Sequence, residues 1–461
     1  MKDKFAQLLA LWVGLSGWGV AAHAQSLMAV YQKAMQNDTQ YNAARRLLDA
    51  GLEKSVQGRA GLLPTVNVTG AKNHQMGDAS FSDAPYVHRD VRNWNWSLQV
   101  TQPIIRWANV AAYAQGHAQT RQAQAQFVQA EQDLMVRVAQ AYFDVQVAQE
   151  SAQVARAQVQ AIGEQLALAE RTFEVGTGTV TDVHEARAKH ALAKAQLVTS
   201  ENDLVIKKTE LERLTGEALD VPAMRLSRRL PAMTNDVDWW LTAAASGNPQ
   251  IRIQQAALDV AHHEVSKSQA AHAPTLDFVA NKGSNDSSGS LSSPADLATR
   301  VNSFQRGVQL NVPLFAGGLT QSKVRESLAL EEKAKEDLLG AQRQASNWVR
   351  QAHAGVVNGQ AQVQALEMAV EAGRNAVASN KIGFTIGTRI NPDVLNAEQQ
   401  LYAAMRDLSK AKAETAMQAL KLKATIGALQ PDDLQALDAS LELVHHVDAQ
   451  PRTQTVQSTW K

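Results

Sequence analysis

A long internal repeat constrains this chain more than any other feature. Gly61-Leu62-Leu63-Pro64-Thr65-Val66 returns as Ala271-His272-Ala273-Pro274-Thr275-Leu276, and Leu98-Gln99-Val100-Thr101-Gln102-Pro103 as Val308-Gln309-Leu310-Asn311-Val312-Pro313, the matching prolines 210 residues apart. Farther on the offset is 211: Phe173-Glu174-Val175-Gly176-Thr177 matches Phe384-Thr385-Ile386-Gly387-Thr388, and Asp182-Val183 matches Asp393-Val394. Such a period is far longer than the roughly 20–50 residues of solenoid repeats and marks a duplicated domain half. The expected division is a signal peptide at 1–24, a first repeat at 25–232, a second at 233–430, and a C-terminal helix and mobile tail at 431–461.

Proline placement shows what the unit contains. No proline occurs between Pro103 and Pro222, or between Pro313 and Pro392, and proline is the residue that most reliably stops a helix. From Leu134 the residues Val138, Ala141, Val145, Ala148, Ala152, Ala155, Val159, Ile162, Leu166, Ala169 and Phe173 fall at alternating steps of four and three. This is a sustained heptad seam, the pattern of a coiled coil. The second copy keeps it from Val349 through Val356, Val363 and Val370 to Val377, with Ala352, Gly359, Leu366 and Gly373 between. A helix of about 65 residues is roughly 100 Å long. Gly176 and Gly387 can each end such a rod, so helices at 181–215 and 392–426 are expected to return antiparallel.

Short segments switch to a period of two. Trp94, Trp96, Leu98 and Val100 alternate with polar residues, as do Val66 and Val68, then Leu276, Phe278 and Ala280, then Val308, Leu310 and Val312. Each reads as a strand of about ten residues, the length that crosses a bilayer at a tilt. Polar loops at His74–Asn93 and Ser284–Ser303 are expected between them. The alternative is a soluble hairpin with one face packed on the helices, which would put Trp94 and Trp96 in a core. Four membrane strands cannot close alone, because single-chain bacterial barrels begin at about eight and an open edge is not tolerated in lipid. Strands in a membrane would therefore make this chain an oligomer.

Lys2 and Lys4, an apolar stretch from Phe5 to Val20 and the small-x-small site Ala22-His23-Ala24 read as a secretory signal. The apolar run is shorter than the roughly 20 residues of a spanning helix. With no cysteine, the chain has no disulfide, thiolate metal site or cysteine nucleophile. Its 45 basic and 45 acidic residues balance, so charge gives no reason to expect a nucleic-acid partner.

The ordered set of Leu62-Leu63-Pro64, Leu98 to Pro103, Phe173 to Thr177, Thr181-Asp182-Val183, Asn281-Lys282-Gly283, Val312-Pro313-Leu314-Phe315-Ala316-Gly317-Gly318, Gly387-Thr388-Arg389 and Asp393-Val394-Leu395 resembles the TolC family of outer-membrane efflux and secretion channels. The resemblance spans roughly 26–430 with both halves in register. It implies a mainly α fold with a small β part, in which long coiled-coil hairpins form a periplasmic helical barrel. It also implies a homotrimer whose four membrane strands per chain complete one twelve-stranded β-barrel among outer-membrane lipids. The implied partners are a periplasmic adaptor and an inner-membrane ABC or proton-driven transporter. The resemblance further places Asp393 on the first of two acidic positions ringing a narrow periplasmic aperture, with Asn396 at the second. Arg389 matches a basic residue that links to the other hairpin near Thr181 and Asp182, and Phe384 stands where some members have a tyrosine in that network. One carboxylate ring and a weaker latch are therefore expected. Trp94 and Trp96 are the expected membrane-interface aromatics.

Other chemistry is poorly served. His262-His263-Glu264 and His445-His446 offer imidazoles, but adjacent histidines point to different sides of a helix. Gly176-Thr177-Gly178-Thr179 lacks the Gly-Lys-Ser/Thr ending of a phosphate loop. Neither a catalytic motif nor a need for a cofactor emerges. The exit duct explains signal, repeat, strands and rods together, whereas a periplasmic coiled-coil scaffold or adaptor without a pore would leave the alternating strands idle.

Overall fold

The structure is a computed structural model that describes residues 26–82, 84–219, 221–222, 224–226 and 235–443. The expected signal peptide, Arg228-Arg229, His445-His446 and the end of the tail lie outside the described residues.

Each half begins with two helices joined by one shared cap. Asp38 ends α1 (Leu27–Asn37) and accepts from the Tyr41 N–H at 2.7 Å to start α2 (Thr39–Ala60). An antiparallel pair β1 (Thr65–Ala79) and β2 (Val87–Ile105) follows, then α3 (Trp107–Glu174), α4 (Val180–Thr215) and the short β3 (Met224–Leu226). The second half repeats the order: α5 (Val237–Gly247), α6 (Pro249–Ala270), β4 (Thr275–Ser287), β5 (Thr299–Asn311), α7 (Leu319–Thr385) and α8 (Asn391–Thr425). Asn248 is its shared cap, with Pro249 in the first turn of α6. The chain continues through α9 (Pro431–Asp438) to β6 (Leu441–Leu443), which pairs with β3.

The rods are as long as their heptads require. At 68 residues α3 is about 100 Å long. Its upper half packs against α2 and α6, and its lower half against α4 and α8. Seam residues Leu134, Val138, Ala141, Val145, Ala148, Ala152 and Ala155 are buried, as are Val349, Ala352, Val356, Val363 and Val370 on α7. Small residues let the rods approach closely. A Cβ on Gly116 of α3 would run into the backbone carbonyl of Lys54 on α2. Midway along, Leu27, Val30 and Tyr31 of α1 and Leu434 and Leu437 of α9 join Val138, Tyr142 and Phe143 of α3 and Leu420 of α8 in the main apolar core. No described helix is long and apolar enough to cross a membrane.

The four long strands form one antiparallel sheet in the order β1-β2-β4-β5, so the β2–β4 pairing joins the two halves. The strands are longer than the expected ten residues, at 15, 19, 13 and 13. The expected loops shrink to 80–86 and 288–298, because backbone pairing needs no apolar side chain and continues through the polar outer part. Cross-strand pairs take over there: His88–Asp78 at 2.8 Å and Arg300–Asp286 at 2.7 Å.

Candidate functional site

Register gives the sheet two faces. Val66 pairs with Val100, Val68 with Leu98, Val100 with Ala280, and Phe278 with Val308, so even-numbered apolar residues share one face. Thr65, Asn67, Thr69, Asn73, Asn93, Asn95, Gln99, Asn281, Asn285, Gln305 and Gln309 share the other. Val66, Val68, Val308 and Leu310 are 61 to 71% exposed, so the helices do not cover the apolar face as they would in a soluble hairpin. Trp94 and Trp96 lie on that face, where the apolar band gives way to Lys72, His74 and Asp90. The stretch from Trp94 to Ile105 is about 36 Å of strand, or about 25 Å high at a tilt of ~45°, the height of an outer-membrane apolar band. Trp107 and Phe315, both exposed, stand at the other end. Both fall outside the alternating runs, so periodicity does not mark them as interface aromatics.

The helical hairpins end in two closely related turns. Val175 and Ile386 cap α3 and α7, and Gly176 and Gly387 follow with φ of 76° and 78°. In each turn the next N–H reaches back to the helix: Thr177 to the Thr172 carbonyl and Thr388 to that of Gly383, both at 2.9 Å. This is a Schellman closure, which favours glycine at the left-handed position. The return helices start differently. Thr179 and Asp182 form a reciprocal capping box on α4, with Asp182 N–H donating to Thr179 Oγ1 at 3.2 Å and Thr179 Oγ1 to Asp182 Oδ2 at 2.7 Å. On α8 the cap is Ile390, with Pro392 in the first turn and no side-chain bond.

Of the expected latch residues, Arg389, in the turn just before α8, lies 3.7 Å from Asp393 in the first turn of that helix, with both side chains more than a third exposed. Within the chain Thr181 is exposed and Asp182 is engaged in its cap, while Phe384 is partly buried near the end of α7. The two hairpins are joined elsewhere. Lys189 of α4 donates to Asn396 Oδ1 at 3.2 Å and to Gln399 Oε1 at 2.9 Å, both on α8. Leu395 packs among Ile162, Ala169, Val183 and Ala186 of the first hairpin. Within the second hairpin, Lys381 pairs at 2.7 Å with Glu398, which is only 1% exposed. Lys189, Lys381 and Glu398 were missed in the sequence. The one signal was Glu398 interrupting the apolar spacing of Val394, Leu395 and Leu401.

Comparisons place this architecture among known proteins. The model of the outer membrane efflux protein family matches residues 30–217 and 240–428, one match in each half. The chain is 31% identical over 442 residues to the proteases secretion protein PrtF of Dickeya chrysanthemi, covering 94% of each chain. It is 32% identical over 426 residues to the alkaline protease secretion protein AprF of Pseudomonas aeruginosa, covering 91% of this chain and 88% of that one. The crystal structure of the outer membrane protein VceC from Vibrio cholerae has the same fold, with a TM-score of 0.74 at 19% identity over 88% of this chain and 97% of that one. Rods ending in paired turns, a sheet with one bare apolar face, and a family match in both halves together identify the chain as a member of the outer membrane efflux protein family, an outer-membrane exit duct that extends into the periplasm.

Proposed function

We propose that the chain works as a homotrimer, with four strands from each copy closing one twelve-stranded barrel and the helical hairpins closing a tube beneath it. The observation that carries this reading is the sheet itself: one face exposed and mainly apolar, with Lys282 and Arg306 among its apolar residues, the other mainly polar, and β1 and β5 without a second partner among the described residues. In lipid such edges must pair, and the neighbouring copies supply the strands. The polar face then lines water, as in other outer-membrane barrels. Trp94 and Trp96 sit at the outer membrane interface. The duct supplies no energy of its own and is recruited by a periplasmic adaptor and an inner-membrane transporter. The names of PrtF and AprF favour secreted protein as cargo and an ABC transporter as the energy source.

The hairpin tips form the aperture. Three Asp393 carboxylates facing the axis repel one another and bind cations, and Asn396 in place of a second acid leaves one such ring. Lys189, Asn396 and Gln399 join the hairpins within a chain, while Arg389 reaches across to the Thr181–Asp182 region of its neighbour. The test is conductance in planar bilayers together with mass in detergent. A trimer with small, cation-preferring pores supports the reading, Arg389→Ala raising conductance and Asp393→Ala weakening cation preference and block. A soluble, non-conducting rod would overturn it.

A further inference from the structure

The outer ends of the strands hold a second arrangement, remote from the tips. Arg89 lies near the start of β2 and is 8% exposed. Its Nη1 donates to the carbonyl oxygens of Ser290 and Ser293, and its Nη2 to that of Pro294 at 2.8 Å. All three belong to the loop 288–298 between β4 and β5, in the other half of the chain. The Phe81 ring lies 4.9 Å from the guanidinium. Three donations to backbone carbonyls need the fixed fork of an arginine, and the cation gives up most of its water to make them. The loop has further ties. Ser288 N–H donates to the Arg92 carbonyl and Arg92 N–H to Ser288 Oγ, both at 2.9 Å, and Asp296 Oδ1 accepts from the Ser290 N–H at 2.9 Å.

Parity decides which side of the sheet the loop covers. Arg89 shares a face with Val91, Asn93 and Asn95, opposite to Trp94 and Trp96. Val91, an apolar residue on this polar face, is only 3% exposed and lines the same niche as Leu291 and Leu297 of the loop. A Cβ on Gly77, the cross-strand partner of Arg89, would lie 3.9 Å from Leu291 Cδ2. The loop therefore bends over the polar side, above a niche lined by Asn73, Asn93, Asn95 and Asn285.

We infer that loop 288–298 is a size-selecting constriction at the outer mouth of the duct, and that Arg89 is the residue that positions it across the lumen. The inference rests on the barrel reading, which makes the polar face the water side. With three copies around the axis, three loops narrow the exit. Asp296 is the loop's only charged residue and is bonded within it, so the constriction sorts by size more than by charge.

The chain lacks cysteine, so one introduced thiol reports without background. Asn95→Cys places it on the polar face beneath the loop. Intact cells carrying the full-length protein are treated from outside with a small maleimide or a large polyethylene-glycol maleimide. The small reagent is expected to label Asn95→Cys and the large one to react many-fold more slowly. Adding Arg89→Ala, or replacing 289–297 by two glycines, raises the large-reagent rate toward the small-reagent rate. The shortened loop keeps the test open if Arg89→Ala assembles poorly. Equal labelling by both reagents with Arg89 and the loop intact overturns the constriction. An Asn95→Cys thiol deaf to both reagents, while Trp94→Cys reacts with both, overturns the barrel reading instead.

Discussion

Within one chain, replacing Lys381 by alanine is expected to loosen the second hairpin tip far more than loss of the Arg389–Asp393 pair. Glu398 is buried, with Oε1 on Lys381 at 2.7 Å and Oε2 without a partner among the described residues. Removing one partner of a buried ion pair strands the other charge, at a cost of about 3–5 kcal/mol. The Lys381 side chain is 45% exposed, which puts the expected cost at the lower end, about 3 kcal/mol, or about a hundredfold in a local opening equilibrium. The Arg389–Asp393 pair is exposed, 3.7 Å long, and ties the turn before α8 to its first residues. Exposed pairs contribute about 0.2–1 kcal/mol, at most about fivefold. Native-state hydrogen exchange on the assembled protein separates the two. In Lys381→Ala, amides near 375–400 should exchange about a hundredfold faster, while those at the start of α7 keep their rates. The double variant Lys381→Ala/Glu398→Leu should recover most of the protection, since the cost arises from the orphaned carboxylate. A double variant as loose as the single one, or an equal effect from Asp393→Ala, which removes the Arg389–Asp393 pair, would refute the reasoning.

Three further outcomes follow from the packing. Burial alone would raise Asp38, but the two 3.0 Å bonds from Arg137 and the Tyr41 N–H outweigh it and hold the carboxyl below its ordinary range. A group held low contributes stability above its unfolded value of about 3.9 and loses it as pH falls through the folded one. Asp38→Asn should therefore lower stability to urea at neutral pH, and the gap to the parent should narrow below about pH 4. Gly116→Ala drives a methyl into the Lys54 backbone, so a loss of about 1–3 kcal/mol in denaturant melts of assembled protein is expected, with Gly340→Ala, mid-helix where a Cβ meets no other atom of the chain, as the contrasting control that gains about 0.5–1 kcal/mol. Thr179→Ala removes the capping box of α4 at about 1 kcal/mol, and proteolysis at the first tip should speed up while the second tip, which has no such box, is unchanged.

Much of this molecule is legible in one dimension. The step of four and three from Leu134 to Ala169 states a helix, its length and its buried side, because a helix repeats its faces every few residues wherever it lies. The glycines at 176 and 387 mark the turns because a left-handed backbone is costly for other residues. Alternation at Trp94 to Val100 states a strand and its two faces for the same local reason. Strand length was not legible: pairing runs on through His88 and Arg300, where side chains carry no periodic signal. Nor was the Lys189 link, since a lysine on an exposed helix face resembles any other until the helix beside it is known.

The sequence by itself determined the duplicated plan, the rods, the turns and the two-faced strands, all consequences of spacing within one element. Only the tertiary structure decided which partners meet across hundreds of residues: Arg89 with the loop near Ser290, Arg106 with Asp277 at the foot of the sheet, and Lys189 with Asn396. Periodicity reports how an element meets solvent, whereas a directional hydrogen bond between remote residues depends on where two independently specified elements come to rest.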